Sequence, residues 1–170
     1  GVNNSANSLF VIIFATIIGL LWIWMNKRKI EPNTVVKFGL GFLFLAGGFW
    51  IFYYTKFFAD TTGKTSLNLF TFGWFIKTFG ELCLSPIGLS AMSRLSPQKT
   101  QAVMTGIWYL ASSYGQYFAG LLGANIASAS ENATNSEKLN VYADGYQQLA
   151  IYALLAGVIL IIISPFVKKL

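Results

Sequence analysis

The sequence contains no histidine and a single cysteine, Cys83, among its 170 residues. A disulfide bond within the chain is therefore excluded. Neither a zinc cluster of cysteine and histidine nor a His-based catalytic triad can be assembled. No other nucleophile is placed beside a base, so we expect a protein that is not an enzyme and holds no metal.

Charged residues are also scarce, at 11% of the chain compared with about 25% in an ordinary soluble domain. The apolar residues are gathered in long runs, and a membrane-spanning helix needs roughly 20 of them in succession. The whole chain, 1–170, therefore predicts an all-α membrane protein with five transmembrane helices in the lipid bilayer. The predicted helices cover approximately 7–25, 35–58, 67–94, 100–129 and 144–167, with a polar outer loop before the last one.

No basic residue precedes the first apolar run, whereas Lys27, Arg28 and Lys29 follow it. That order favours a spanning helix over a cleaved secretory signal. The chain begins with Gly1 rather than methionine, and we expect it to be part of a longer polypeptide.

The net charge of +6 follows the predicted topology. If the connection after the first helix is cytoplasmic, eight basic residues fall on that side and three on the other, with Lys77 inside the third helix. The cytoplasmic set is Lys27, Arg28, Lys29, Lys37, Arg94, Lys99, Lys168 and Lys169, and the outer set is Lys56, Lys64 and Lys138. This asymmetry is the positive-inside pattern, and it predicts a cytoplasmic C-terminus in a bacterial inner membrane. The basic excess therefore indicates topology, and we expect no nucleic-acid partner.

Glu81 lies in the middle of the third apolar segment. A charged carboxylate at that depth costs about 3 kcal/mol or more, and such residues usually face a cavity, a partner or a pathway. Helical spacing puts Lys77, Glu81, Ser85 and Gly88 on one face. Pro86 cannot donate a hydrogen bond to the carbonyl four residues earlier, which predicts a kink. Transport is thus the first functional hypothesis.

Two interpretations of this acid stay open. Lys77 and Glu81 could form an intrahelical ion pair that only neutralises both charges. Alternatively, Glu81 binds a cationic group or a proton, since it is the one acid placed at mid-membrane to titrate.

The fourth segment places Trp108 one to two turns into its helix, where tryptophan either anchors the membrane interface or walls a cavity. The glycines of this segment, including Gly106, Gly115, Gly120 and Gly123, predict close helix packing. Near the start of the chain, Asn7 is either a helix-capping residue or a site residue.

Residues 77–90 read KTFGELCLSPIGLS, and 94–97 read RLSP. This stretch resembles the tenth helix of the proton-dependent oligopeptide transporters of the major facilitator superfamily. Residues 104–110, MTGIWYL, are similar to that family's eleventh helix, and residues 4–10, NSANSLF, to its entry into helix eight. The resemblance implies that the five helices are helices eight to twelve, most of the C-terminal six-helix bundle.

The resemblance also implies roles for individual residues. Glu81 would hold the amino terminus of the peptide and couple to protons, Asn7 would assist it, Trp108 would line the binding cavity, and Ser85 would touch the substrate. Lys77 could compete with the substrate amine for Glu81. The implied coupling ion is a proton, with no other cofactor.

The predicted function is the proton-coupled symport of di- and tripeptides. The implied partners are small peptides and the N-terminal helices of the same transporter. Two alternatives remain: a transporter of nitrate or another small solute in the same family, and a non-transporting membrane assembly subunit.

Overall fold

The computed structural model describes residues 2–60, 64–129 and 134–167, and all their side chains except those of 2–8, 122 and 125–129. Within these ranges the chain is helical and contains no strand. The helices are α1 (Val2–Lys27), α2 (Thr34–Tyr54), α3 (Leu67–Leu95), α4 (Gln101–Ala129) and α5 (Asn135–Val167), and a 3-10 turn, Thr55–Phe58, extends α2. The predicted all-α fold class is confirmed.

Helix α2 lies at the centre of the molecule. It packs along most of its length against α5 on one side and α3 on the other, while α1 and α4 contact chiefly α3. The core is therefore a three-helix layer, α5–α2–α3, to which two further helices are added. This arrangement places the polar face of α3 beside α1 and α4.

Pairs of glycines let these helices approach closely. A Cβ atom built at Gly80 of α3 would lie 2.7 Å from the carbonyl oxygen of Gly41 on α2. One built at Gly48 would lie 3.1 Å from the carbonyl oxygen of Gly73. The antiparallel helices thus meet twice at matched glycines, as small residues permit in membranes. Because Gly80 precedes Glu81, this contact fixes the turn that carries the acid.

Polar contacts join α2 to α5 at both ends. Asn33 accepts a hydrogen bond from the Val36 amide, which caps α2, and donates one to the buried Ser164 hydroxyl at 2.7 Å. At the opposite end Lys56 forms an ion pair with Asp144 at 2.9 Å. The two helices are therefore held in register from end to end.

Helix α5 begins earlier than the sequence predicts. The expected start lies near 144, whereas the helix begins at Asn135. Thr134 donates from its amide (2.7 Å) and hydroxyl (2.9 Å) to the Glu137 carboxylate, a capping arrangement that satisfies free groups at the helix start. The prediction was wrong here because it followed apolar residues, and this first part of the helix is polar.

Within the part of the chain that the structure describes, three segments are long and apolar enough to cross a membrane: Leu9–Lys27, Thr34–Phe58 and Asn135–Val167. The remaining helices, α3 and α4, have 29 residues each and carry more polar groups. At ~1.5 Å per residue each is about 43 Å long, enough for a hydrocarbon core of ~30 Å. Their polarity is typical of helices that face a partner or a pathway as well as lipid.

Helix α4 is the least covered of the five. Residues 109–121 are all exposed, and a Cβ atom added at Gly106, Gly115, Gly120 or Gly123 would meet no atom of another described helix within 4 Å. The close packing predicted for these glycines is therefore absent from the described contacts. The tight glycine contacts lie between α2 and its neighbours and, at Gly88 of α3, against the Trp108 ring.

Candidate functional site

A depression of about 360 Å³ lies beside the middle of α3. Four of its lining residues are consecutive or nearly so on that helix, and the fifth comes from α1: Glu81, Leu82, Ser85, Pro86 and Val11. The structure thus brings together two of the predicted site residues, Glu81 and Ser85. Their spacing of four residues places them on adjacent turns of one face.

A cluster of phenylalanine rings holds α1 against α3 beside this depression. Ring centroids are 5.2 Å apart for Phe14 and Phe75, 5.3 Å for Phe14 and Phe79, and 5.7 Å for Phe10 and Phe75. Aromatic contacts at these separations are favourable beyond the area they bury. The cluster positions Val11 at the depression, and an apolar side chain in an apolar helix gives no sequence signal for that role.

Two polar side chains lie in an otherwise apolar depression. Glu81 contributes a carboxylate and Ser85 an exposed hydroxyl. Helix α3 continues through Pro86, whose ring nitrogen carries no hydrogen, so the Leu82 carbonyl receives no hydrogen bond from that residue. A carboxylate and a hydroxyl on neighbouring turns suit a ligand that donates hydrogen bonds, such as an ammonium group.

The Glu81 carboxylate is ion-paired within its own helix. The Lys77 ammonium nitrogen lies 2.5 Å from Glu81 Oε1, so the intrahelical pair considered from the sequence is formed. The glutamate side chain is 34% exposed and the lysine side chain 19%. The pair is therefore formed at the edge of the depression, and the carboxylate remains partly exposed.

The lysine also contacts an aromatic ring that the sequence analysis did not single out. Its ammonium nitrogen lies 4.4 Å from the ring centroid of Trp74, within the range of a cation–π interaction. Trp74 precedes Lys77 by three residues, so helical spacing alone could have indicated this contact.

Trp108 lies elsewhere in the structure. Its ring covers Gly88 of α3, where a Cβ atom would overlap it, and meets Phe38 of α2 edge-on at 6.2 Å. It is not among the residues that line the depression beside Glu81. Asn7 falls outside the residues whose side chains are described. The structure thus groups two of the four predicted residues.

In residues 2–60, 64–129 and 134–167, no three Asp, Glu, Cys or His side chains lie close enough together to hold an ion.

The chain is similar to bacterial peptide transporters. It is 29% identical over 169 residues to the peptide transporter YePEPT of Yersinia enterocolitica, covering 98% of this chain and 32% of the relative. It is also 29% identical to the di-/tripeptide transporter of Lactococcus lactis subsp. cremoris, covering 96% of this chain and 30% of the relative. The chain thus spans about a third of the length of the curated relatives it matches.

Solved structures show the same helix arrangement. A peptide transporter POT in complex with sulfate superimposes with a TM-score of 0.79 at 28% identity, over 97% of this chain and 31% of that one. A POT family transporter in complex with a thioalcohol-conjugated peptide gives 0.78 at 27% identity, over 95% and 30%. The family model described as PTR2, POT family, matches residues 4–142. The chain therefore belongs to the POT family of membrane transporters.

Proposed function

We propose that this chain forms the C-terminal part of a proton-coupled transporter of di- and tripeptides, and that Glu81 receives the amino terminus of the cargo. The observation that carries the proposal is the position of this carboxylate in α3, at a depression that also presents Ser85 and Leu82. The similar Yersinia and Lactococcus proteins are named as peptide transporters, which supports peptide cargo.

The proposed mechanism uses the two charge states of one carboxyl group. As a carboxylate, Glu81 attracts the ammonium group of a peptide; when protonated it is neutral and releases that group. Proton entry driven by the membrane potential supplies about 2.3 kcal/mol per charge per 100 mV. For both proton and peptide to move inward, the proton must enter with the peptide on a group of the remaining helices and reach Glu81 only on the inner side, where it releases the ammonium group. No further cofactor is required.

We also propose that the remaining helices of the transporter cover the exposed face of α4. Two bundles that rock about a central site expose it alternately to the two sides of the membrane. Ser85 and Trp108 would then contact cargo from this half, and Asn7 would support Glu81. The proposed location is a bacterial inner membrane with the C-terminus in the cytoplasm.

The proposal is tested by Glu81→Gln in the full-length transporter reconstituted in vesicles. We expect peptide-driven proton uptake to be lost, because the amide neither carries charge nor titrates, while the protein stays monodisperse and folded. Peptide-driven proton entry is read from a pH-sensitive dye inside the vesicles.

The matched control is Glu137→Gln, which exchanges an acid for its amide at a cap where glutamine also serves. It should retain uptake. Undiminished proton uptake in Glu81→Gln would contradict the assigned role. Uptake of labelled nitrate without uptake of labelled dipeptide would contradict peptide as the cargo.

A further inference from the structure

We propose that Lys77 is a resident counter-cation that sets the affinity of Glu81 for the cargo's ammonium group. The inference rests on the proposed function and assigns Lys77 as a positioning residue for that same site. It begins from the ion pair of 2.5 Å between the two side chains. In this interpretation the site is already neutralised before any cargo arrives.

The position of the lysine leaves the cargo side accessible. Lys77 lies one helical turn before Glu81, whereas Ser85 lies one turn after it and lines the depression. The lysine itself is not part of that lining. The carboxylate thus lies between a cation supplied by the protein and the space in which a ligand cation would bind.

Two contacts hold Lys77 in this place. Its ammonium nitrogen lies 4.4 Å from the ring centroid of Trp74, and its side chain is only 19% exposed. At the backbone end of the Lys77 side chain, a Cβ added to Gly48 of α2 would lie 3.0 Å from the Lys77 Cβ, so α2 packs directly against this turn. A lysine restrained at both ends loses less conformational entropy in forming the pair than a free surface lysine does.

The electrostatic consequence concerns binding strength. A lone carboxylate would attract an incoming ammonium group with its full charge, whereas a Lys77–Glu81 pair carries no net charge. Hydrogen bonds to charged groups are stronger than those between neutral groups, and an acceptor already engaged by Lys77 attracts a second cation less strongly. Lys77 should therefore weaken capture of a free amino terminus and leave a blocked amino terminus unaffected.

The test compares dialanine with N-acetyl-dialanine as cargo for the full-length transporter. Replacing Lys77 by methionine (Lys77→Met) should lower KM for dialanine by about tenfold, which corresponds to about 1.4 kcal/mol. KM for the acetylated compound should not change. Lys77→Arg keeps the cation and should behave as the natural protein does.

The control is Lys37→Met, which removes a lysine that pairs with Glu31 at the start of α2, away from the depression. It should leave both KM values unchanged. If Lys77→Met does not fold, Lys77→Gln keeps a hydrogen-bond donor without the charge, and the same selective fall in KM is expected.

An unchanged or higher KM for dialanine in the neutral variants would overturn the role of Lys77 while leaving peptide transport intact. A natural protein that takes up no peptide at all would overturn the proposed function and this inference with it. Equal changes in KM for dialanine and N-acetyl-dialanine would indicate a general structural effect and would also contradict the inference.

Discussion

Trp108, a predicted site residue, has a packing role in the structure. Its ring lies over Gly88 and meets Phe38 edge-on, so it joins α4 to α3 and α2 in a molecule where α4 has few other contacts. The sequence left two roles open for this tryptophan. The structure adds a third, in which the bare backbone of Gly88 provides the surface on which the ring lies.

Gly88→Ala should destabilise the full-length transporter by about 1–3 kcal/mol, because a methyl group there overlaps the Trp108 ring. Thermal unfolding in detergent measures the change. Combining it with Trp108→Leu, which shortens the covering side chain, should cost less than the sum of the two single losses. A Gly88→Ala protein as stable as the natural one would contradict this packing.

The sequence was most informative about Glu81 and Ser85, since one helix places them together whatever the rest of the fold does. Helical spacing likewise anticipated the pair with Lys77. Val11 and the position of Trp108 depend on how separate helices pack, which a helix's own periodicity does not encode. The positions of those two residues follow from tertiary contacts between helices.

At the scale of elements, the glycine contacts explain how α3 is held. Gly41 faces Gly80 and Gly48 faces Gly73. The two close contacts are therefore seven residues apart in α2 and also in α3. Glycine was correctly linked to close packing from the sequence, but in α4 rather than in α2 and α3. Which glycines pack depends on the register between helices, and that register emerges only in the fold.

Gly80→Ala should cost about 1–3 kcal/mol of stability and reduce peptide affinity, because the added methyl group meets the Gly41 carbonyl oxygen and Leu45. The matched control is Gly19→Ala, at a helical glycine of α1 with no neighbour within 4 Å among the described atoms. Alanine there should be neutral or stabilising. Unfolding midpoints and dipeptide KM would be compared, and equal behaviour of the two variants would refute the importance of this contact.

At the scale of the whole molecule, apolar runs were enough to predict an all-helical membrane protein, and the comparisons place the chain in a transporter family. The start of α5 was missed because Thr134 and Glu137 are polar. They stabilise the helix end through hydrogen bonds, which a search for apolar residues does not detect. The proposed orientation of the chain in the membrane rests on the distribution of its basic residues.

That orientation predicts opposite labelling of two exposed lysine positions. In a Cys83→Ser background, Lys64→Cys should react with a membrane-impermeant maleimide added to intact spheroplasts. Lys99→Cys should react only after the membrane is opened, because its loop lies with the cytoplasmic basic residues. Cys83 is the one cysteine of the sequence, so in this background the introduced cysteine is the thiol of these residues that can react. Reversed labelling would place the C-terminus outside.

The polar contacts that join α2 to α5 near both ends limit which helices can move in the proposed transport cycle. A hydrogen bond between Asn33 and Ser164 and an ion pair between Lys56 and Asp144 restrain α2 against α5. The close contacts at the glycines add α3 to the same block. A carboxylate mounted on such a frame keeps its local surroundings while the frame turns. Opening toward either side of the membrane would then occur between this block and the remaining helices of the proposed transporter, at the exposed face of α4.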